Sequence, residues 1–427
     1  MGLNLGAAKS QGEFDSEYAA WPAWSAFVSG ALEGVKVVDL TTVLMGPFAT
    51  QQLGDMGADV IKVEPPAGDT SRNVGPARHR GMAGGFLHVN RNKRAIVLDL
   101  KQAQGRDVLL RLVATADVLV YNVRPQAMAR LKLTYADVVA VNPRIIYVGM
   151  FGYGQGGPYG AKPAYDDLIQ GAVGIPSLVA RVGDGVPRYV PVTMIDRTVG
   201  TAAVGQIAAA LYRREKTGVG QAIEVPMFET MVPFVLGEHF AGHSFEPTLG
   251  PMGYSRLLAR ERTPFATRDG YVCALIYNDS HWRAFFAGLG QPERFVSDPR
   301  LADIATRTNH IGELYGMVAE IMQTRNTQEW LVFFEDADIP AMRLNTLDSL
   351  HKDPHLAAVG FFETVEHPSE GVLNQMGHAS TWSESPPSTR RLAPRLGEHS
   401  IEVLNELGYS AAEITQLLAR GVTAVVS

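Results

Sequence analysis

The stretch GVKVVDLTTVLMGPFATQQLGDMGADVIKVEPPAGDTSR, Gly34–Arg72, decides the fold. Val35–Leu40 is a short β-branched run of the kind that forms a buried strand. Pro47 then stands at the favoured first position of a helix carrying Ala49, Gln51, Leu53 and Met56. Val60–Val63 is a second strand. Strand, helix and strand in that order make a βαβ unit, whose two strands must run parallel. A dinucleotide site also begins this way, with a second strand ending in an acid such as Glu64. The turn here is Leu44-Met45-Gly46-Pro47, without the closely spaced glycines that let a pyrophosphate reach the helix. A nicotinamide enzyme is therefore set aside.

Further along, Ala95–Leu100, Val118–Tyr121 and Ile145–Met150 repeat the buried-strand pattern, with helical periodicity at 103–114 and 135–141 between them. Alternation of this length predicts an α/β domain: a doubly wound, mostly parallel, Rossmann-like sheet with its ligand at the C-terminal strand ends. From about residue 228 the alternation stops. We expect an N-terminal extension at 1–33, a large domain over 34–227, a linker at 228–262, a small α+β domain over 263–345, a return linker at 346–375, and a C-terminal part of the large domain at 376–427. The small domain opens with two strands about Asp269-Gly270, a hairpin signal, followed by helices near 280–289, 307–323 and 327–336.

The segment YVPVTMIDRTVGTAAVGQIAAALYRREKTGVGQAIEVPMFETM, Tyr189–Met231, carries the chemistry. Val190–Ile195 reads as a short buried strand or extended segment, and Gln221–Val225 as a further strand. Between them lies a helix of small apolar residues closed by Arg213, Arg214, Lys216 and Gly218, as suits a C-terminus. A single acid, Asp196, stands at its mouth. A helix N-terminus favours the anion, the form a carboxylate nucleophile must take. Asp is equally a common N-cap without further role. Asp166, in Tyr165-Asp166-Asp167, opens another helix, where it could orient groups or exclude a second anion, or serve only as an N-cap.

At 427 residues the chain exceeds one ordinary core, so two domains are expected. Its 38 Lys and Arg against 44 Asp and Glu leave a net charge of −6, which offers nothing to nucleic acid or to an anionic membrane. No apolar run suffices for a membrane span and the opening residues do not form a signal peptide, so a cytoplasmic protein is expected. The lone Cys273 fits a reducing compartment, and its apolar run YVCALIY suggests a buried core thiol. The chain has no P-loop, paired CxxC or HExxH, and its eleven His are too scattered to suggest a metal site.

These blocks in register are similar to the family III CoA-transferases, which include formyl-CoA transferase, carnitine CoA-transferase and the α-methylacyl-CoA racemases. Besides the two stretches above, the resemblance rests on NRNKRAIVLDLK (90–101), DVLVYNVRP (117–125), GYGQGGPYGAKPAYD (152–166), PFATRDGYV (264–272) and GEHSIEVLNELGYSAAEITQLLARGV (397–422), and covers residues 34–427. It implies an acyl-CoA:carboxylate CoA-transferase with Asp196 as nucleophile and Asp166 as a nearby acid. It further implies that Val43, Leu44 and Met45 border the thiol end of CoA and that Leu98 and Lys101 meet the adenine and ribose phosphate. Asn122, Val123 and Arg124 would lie along the pantetheine or phosphates, with Arg130 at the pyrophosphate. Arg72 is a further phosphate candidate. The same resemblance implies an interlocked homodimer, no permanently bound cofactor, and acyl-CoA and a small carboxylic acid as partners. Two departures stand out: Leu44 replaces the Gln of some transferases, and residues 242–256 hold only Gly242, Gly250 and Gly253 where some relatives have a glycine run. An acyl-CoA racemase or isomerase is the alternative, but its His is replaced by Tyr165. A non-catalytic CoA-binding protein is a third reading.

Overall fold

The computed structural model describes residues 30–425, so Trp21, Trp24 and most of the expected extension at 1–33 lie outside the described residues. Two compact units emerge. The first runs through Met150 and adds Gly200–Glu224 and Glu363 onward. It holds a six-stranded sheet of order β3-β2-β1-β4-β5-β6. These strands are β1 (Lys36–Leu40), β2 (Asp59–Glu64), β3 (Lys93–Val97), β4 (Val118–Tyr121), β5 (Ile146–Phe151) and β6 (Gln221–Pro226). Each pair from β3 through β5 is parallel. The Val and Ile runs are buried on both faces, as a parallel sheet covered by helices demands.

The sheet's order reverses between β1 and β4, where doubly wound folds bind ligands. The helix after β1 begins at Met45, two residues before the expected start, so Pro47 falls within its first turn, where a missing N–H costs nothing. Gly46 is required here: a Cβ would lie 2.4 Å from the Thr41 side chain. Among the described residues no strand pairs with the outer edge of β3; residues of 399–423 cover it. His399 N–H donates to the Ala95 carbonyl at 2.9 Å, Ser400 Oγ accepts the Val97 N–H at 3.2 Å, and Thr423 Oγ1 donates to the Val97 carbonyl at 2.7 Å. The helices Ser400–Glu406 and Ala411–Ala419 pack against each other near the covered edge.

The second unit comprises Phe151–Val199 and Val225–Phe362, so residues 151–199 join this unit rather than the large one. Its antiparallel sheet is β7 (Phe265–Ala266), β8 (Tyr271–Ala274) and β9 (Ala341–Arg343). Helices Asp279–Gly288, Ile311–Met322 and Thr327–Asp336 pack an aromatic core of Trp282, Phe285, Phe286, Trp330, Phe333 and Phe334. Cys273 is exposed, contrary to expectation, because strand alternation turns Val272 inward and Cys273 outward. Val190–Ile195 forms no strand: Val192 N–H bonds the Val190 carbonyl and Met194 N–H the Val192 carbonyl, two tight turns that lead straight into a helix. Among the described residues no helix is long and apolar enough to cross a membrane.

Candidate active site

The helix Met194–Thr217 places Asp196 in its first turn rather than at its cap. That turn leaves backbone N–H groups without helical partners. Asp166 supplies one: its Oδ2 accepts the Asp196 N–H at 3.0 Å. Asp166 itself opens the helix Asp166–Ala172, with the exposed Tyr165 at the cap. Its other oxygen accepts from Gln170 Nε2 at 2.6 Å, while Gln170 Oε1 accepts the Val190 N–H at 2.9 Å. Gln170 is fully buried and Asp166 nearly so. One carboxylate and one amide therefore fix the entry to the Asp196 helix.

This arrangement also reverses one expectation. Helix position alone would favour the Asp196 anion. Instead burial, and then the negative Asp166 beside it, push the Asp196 carboxyl up to about 7, with Arg197 opposing only in part. Asp196 is thus poised between its two protonation states near neutral pH. A buried acid with a raised carboxyl beside a second acid is a recurring sign of a reaction centre.

In the other unit, the loop after β1 is unusual. Val43 has φ 70°, a left-handed conformation that a β-branched residue rarely takes. The fold holds it there. Asp69 Oδ1 accepts the Val43 N–H at 3.1 Å. Asn122 accepts the Thr42 N–H at 2.9 Å and donates to the Thr42 carbonyl at 2.7 Å. Beneath the loop lies a buried ionic network. Lys62 Nζ reaches Asp69 at 3.0 Å and the Thr41 carbonyl at 2.8 Å. Lys93 Nζ reaches Asp39 at 3.0 Å, with Pro47 and Asn90 oxygens at 2.9 Å. Thr41 and Thr50 hydroxyls complete Asp39. Burial alone would raise the Asp39 carboxyl, but Lys93, Lys62 and the hydroxyls bring it down to about 2. For Lys93 burial dominates and lowers the ammonium to about 8 despite Asp39. Leu44 caps the following helix through its backbone, and Met45 is buried. Gly200, one turn beyond Asp196 on its helix, lets that helix meet the Met45 carbonyl, which would stand 2.8 Å from a Cβ.

The remaining candidates divide. Lys101 and Arg130 line one cleft of about 500 Å³ with Leu100, Ala103, Arg106, Ala127 and Leu131. Arg124 is exposed at the cap of the helix Pro125–Arg130, with Val123 half-buried before it. Arg72 is corrected. Its Nε and Nη2 grip Glu64 at 2.7 and 2.6 Å, its other donors bond the Gly81 and Pro394 carbonyls, and its plane lies over Phe86. A fork so filled has nothing left for a phosphate. Leu98 is 1% exposed, so its side chain belongs to the core and only its backbone could meet a ligand. Asn122 acts on the loop rather than standing free.

Sequence reading passed over Asp39, Lys62, Asp69, Lys93, Gln170 and Arg106. The signal was present for three of them: Asp39, Lys62 and Lys93 are charges inside central parallel strands, where a charge must be paired.

Residues 32–400 match the model of CoA-transferase family III. The chain is 32% identical to succinyl-CoA:glutarate CoA-transferase of Homo sapiens, over 92% of this chain and 89% of that one. It is 30% identical to formyl-CoA:oxalate CoA-transferase of an Escherichia coli strain, over 91% and 99% respectively. A CAIB/BAIF family protein from Brucella suis superposes with a TM-score of 0.74 at 30% identity, covering 89% of this chain and all of that one. The chain belongs to CoA-transferase family III and is an enzyme that transfers coenzyme A.

Proposed function

We propose that the enzyme moves CoA from an acyl-CoA donor to a small carboxylic acid, with Asp196 as its nucleophile. The observation that carries this reading is Asp196 in a first helical turn, its N–H held by Asp166 and its carboxyl raised to about 7. The Asp196 carboxylate attacks the thioester carbonyl, forming an acyl-aspartyl anhydride and releasing CoA thiolate. The thiolate attacks the aspartyl carbonyl, forming an enzyme thioester and freeing the donor acid. The acceptor carboxylate then reverses the sequence, and every intermediate stays activated. Orientation supplies the largest part of such a rate, up to roughly 7–11 kcal/mol. Tyr165 gives no imidazole for α-proton exchange, which separates this reading from racemisation. Mass spectrometry of acyl-CoA donors against carboxylic acids tests it: new acyl-CoA must form, without deuterium uptake at the α-carbon. Deuterium uptake without transfer would make the enzyme a racemase.

Two expectations follow. Asp166 raises Asp196 through its charge, so Asp166→Asn, which keeps an acceptor for the Asp196 N–H, lowers that carboxyl. The anion is the reactive form, so the rising limb of transfer rate against pH moves from near 7 toward acid. An unmoved limb would deny the coupling. We also infer that the protein works as a homodimer in the cytoplasm. Exposed Phe234, Phe245 and Leu249 in the second unit support an apolar contact surface, and the lone Cys273 suits a reducing compartment. Light scattering at micromolar concentration should give twice the chain mass; the chain mass alone would end the dimer reading.

A further inference from the structure

Asp166 and Gln170 lie one turn apart on the helix Asp166–Ala172, so their side chains share a face. Together they carry an unbroken chain of hydrogen bonds beside the segment that leads into the Asp196 helix. Gln170 Oε1 accepts the Val190 N–H at 2.9 Å, Gln170 Nε2 donates to Asp166 Oδ1 at 2.6 Å, and Asp166 Oδ2 accepts the Asp196 N–H at 3.0 Å. The chain therefore ties the two ends of 190–196 together. Between those ends the backbone closes on itself, Val192 N–H on the Val190 carbonyl and Met194 N–H on the Val192 carbonyl, both at 2.8 Å.

Chemistry fixes the direction of this chain. A backbone N–H can only donate and a carboxylate can only accept, so the amide between Val190 and Asp166 has one workable orientation. Gln170 is fully buried and Asp166 only 7% exposed, so water does not stand in for a misdirected partner. Turned over, the amide would set its NH2 against the Val190 N–H and its oxygen against the carboxylate. Removed, it would release Val190 from Asp166 and loosen the entry to the helix. A reacting group misplaced by about 1 Å can lose on the order of 10²-fold in rate. We propose that Gln170 is a positioning residue for the transfer step: the direction of this chain, and not only the volume of the amide, seats Asp196 for attack. This rests on the reading of Asp196 as the nucleophile.

The test reverses the chain. In the double variant Asp166→Asn/Gln170→Glu the new carboxylate accepts the Val190 N–H, and the new amide donates to it while still accepting the Asp196 N–H. Every bond survives and the pair keeps one negative charge; only the direction between positions 166 and 170 is reversed. Gln170→Glu alone sets two carboxylates against each other. Asp166→Asn alone sets two NH2 groups together unless Gln170 turns away from Val190. Turnover is compared at about pH 9, where a carboxyl near 7 is ionised. Each single variant should lose about 10–100-fold in kcat, with KM for acyl-CoA within about threefold of native, and the double variant should return to within about threefold of native. Gln170→Met, which fills the space without either bond, should lose about as much as the single variants, and it carries the test with the double variant if Gln170→Glu does not fold. Native turnover by Gln170→Met, a loss confined to KM, or a double variant no faster than its singles overturns the proposal. The native enzyme, given acyl-CoA and then hydroxylamine, separates the two readings. A hydroxamate on Asp196 together with no rescue removes the role of Gln170 alone, whereas no hydroxamate on Asp196 removes the nucleophile reading and this proposal with it.

Discussion

Asp196→Asn loses CoA transfer by about 10⁵-fold, the scale of effective molarity that an oriented nucleophile contributes. Asn keeps the shape of the side chain and the backbone N–H that Asp166 holds, but it cannot form the anhydride. Acyl-CoA should still bind. The variant should also be more stable than the native protein at pH 8. The native carboxyl ionises near 7 against 3.8 in an unperturbed chain. The folded state therefore holds a proton that the unfolded chain has released, and stability falls as pH rises from about 4 through 7. Asn carries no such cost. Denaturant melts at pH 8 check this half. For the chemistry, native enzyme given acyl-CoA and then hydroxylamine should carry a hydroxamate on Asp196, located by peptide mass. A label on Asp166 or Asp167, or more than trace transfer by Asp196→Asn, would move the nucleophile to the Tyr165 loop.

Asp39→Ala should cost about 3–5 kcal/mol of stability, because Lys93 stays buried without its partner and must either keep an uncompensated charge or give up its proton. Both groups are fully buried, so solvent cannot take over the role of the carboxylate. Adding Lys93→Met should recover part of the loss, since the pair removed together leaves no orphaned charge. Urea unfolding of the single and double variants gives both numbers. A loss below about 1 kcal/mol for Asp39→Ala would show that the network is idle. The native pair should also weaken in acid. Asp39 is held at about 2, so its contribution is complete above about 4 and fades as pH falls toward 2.

Periodicity legible in the sequence located most of the first unit. Val118–Tyr121 is β4 at the expected residues because only large apolar side chains, two of them β-branched and one aromatic, occupy it. At β3 the strand is Lys93–Val97, earlier than expected for Ala95–Leu100. The reason is chemical: Lys93 and Arg94 look like loop residues, yet their charges are spent on Asp39, Asp59, Glu402 and Glu406. Val190–Ile195 failed as a strand for a related reason, since its backbone is bonded to itself and to Gln170 rather than to a neighbouring strand. Asp196 was visible as a lone acid before a small-residue helix. Its raised carboxyl was not, because that depends first on burial in the fold and then on Asp166, thirty positions away in sequence. Arg72 and Arg106 look alike in sequence, and only their surroundings show that one fork is full and the other open.

The edge of β3 has a consequence for how the chain is made. The strand leaves the ribosome long before the groups that cover its edge: Val97 waits 303 positions for Ser400 and 326 for Thr423. At about 5–20 residues per second that interval is roughly 15–60 s. During it the nascent sheet presents an open row of N–H and C=O groups, the template on which foreign strands assemble. Translation that stops short of His399 would thus release an adhesive intermediate rather than a smaller enzyme, and the fate of each new chain depends on Ser400 and Thr423 arriving before another chain does.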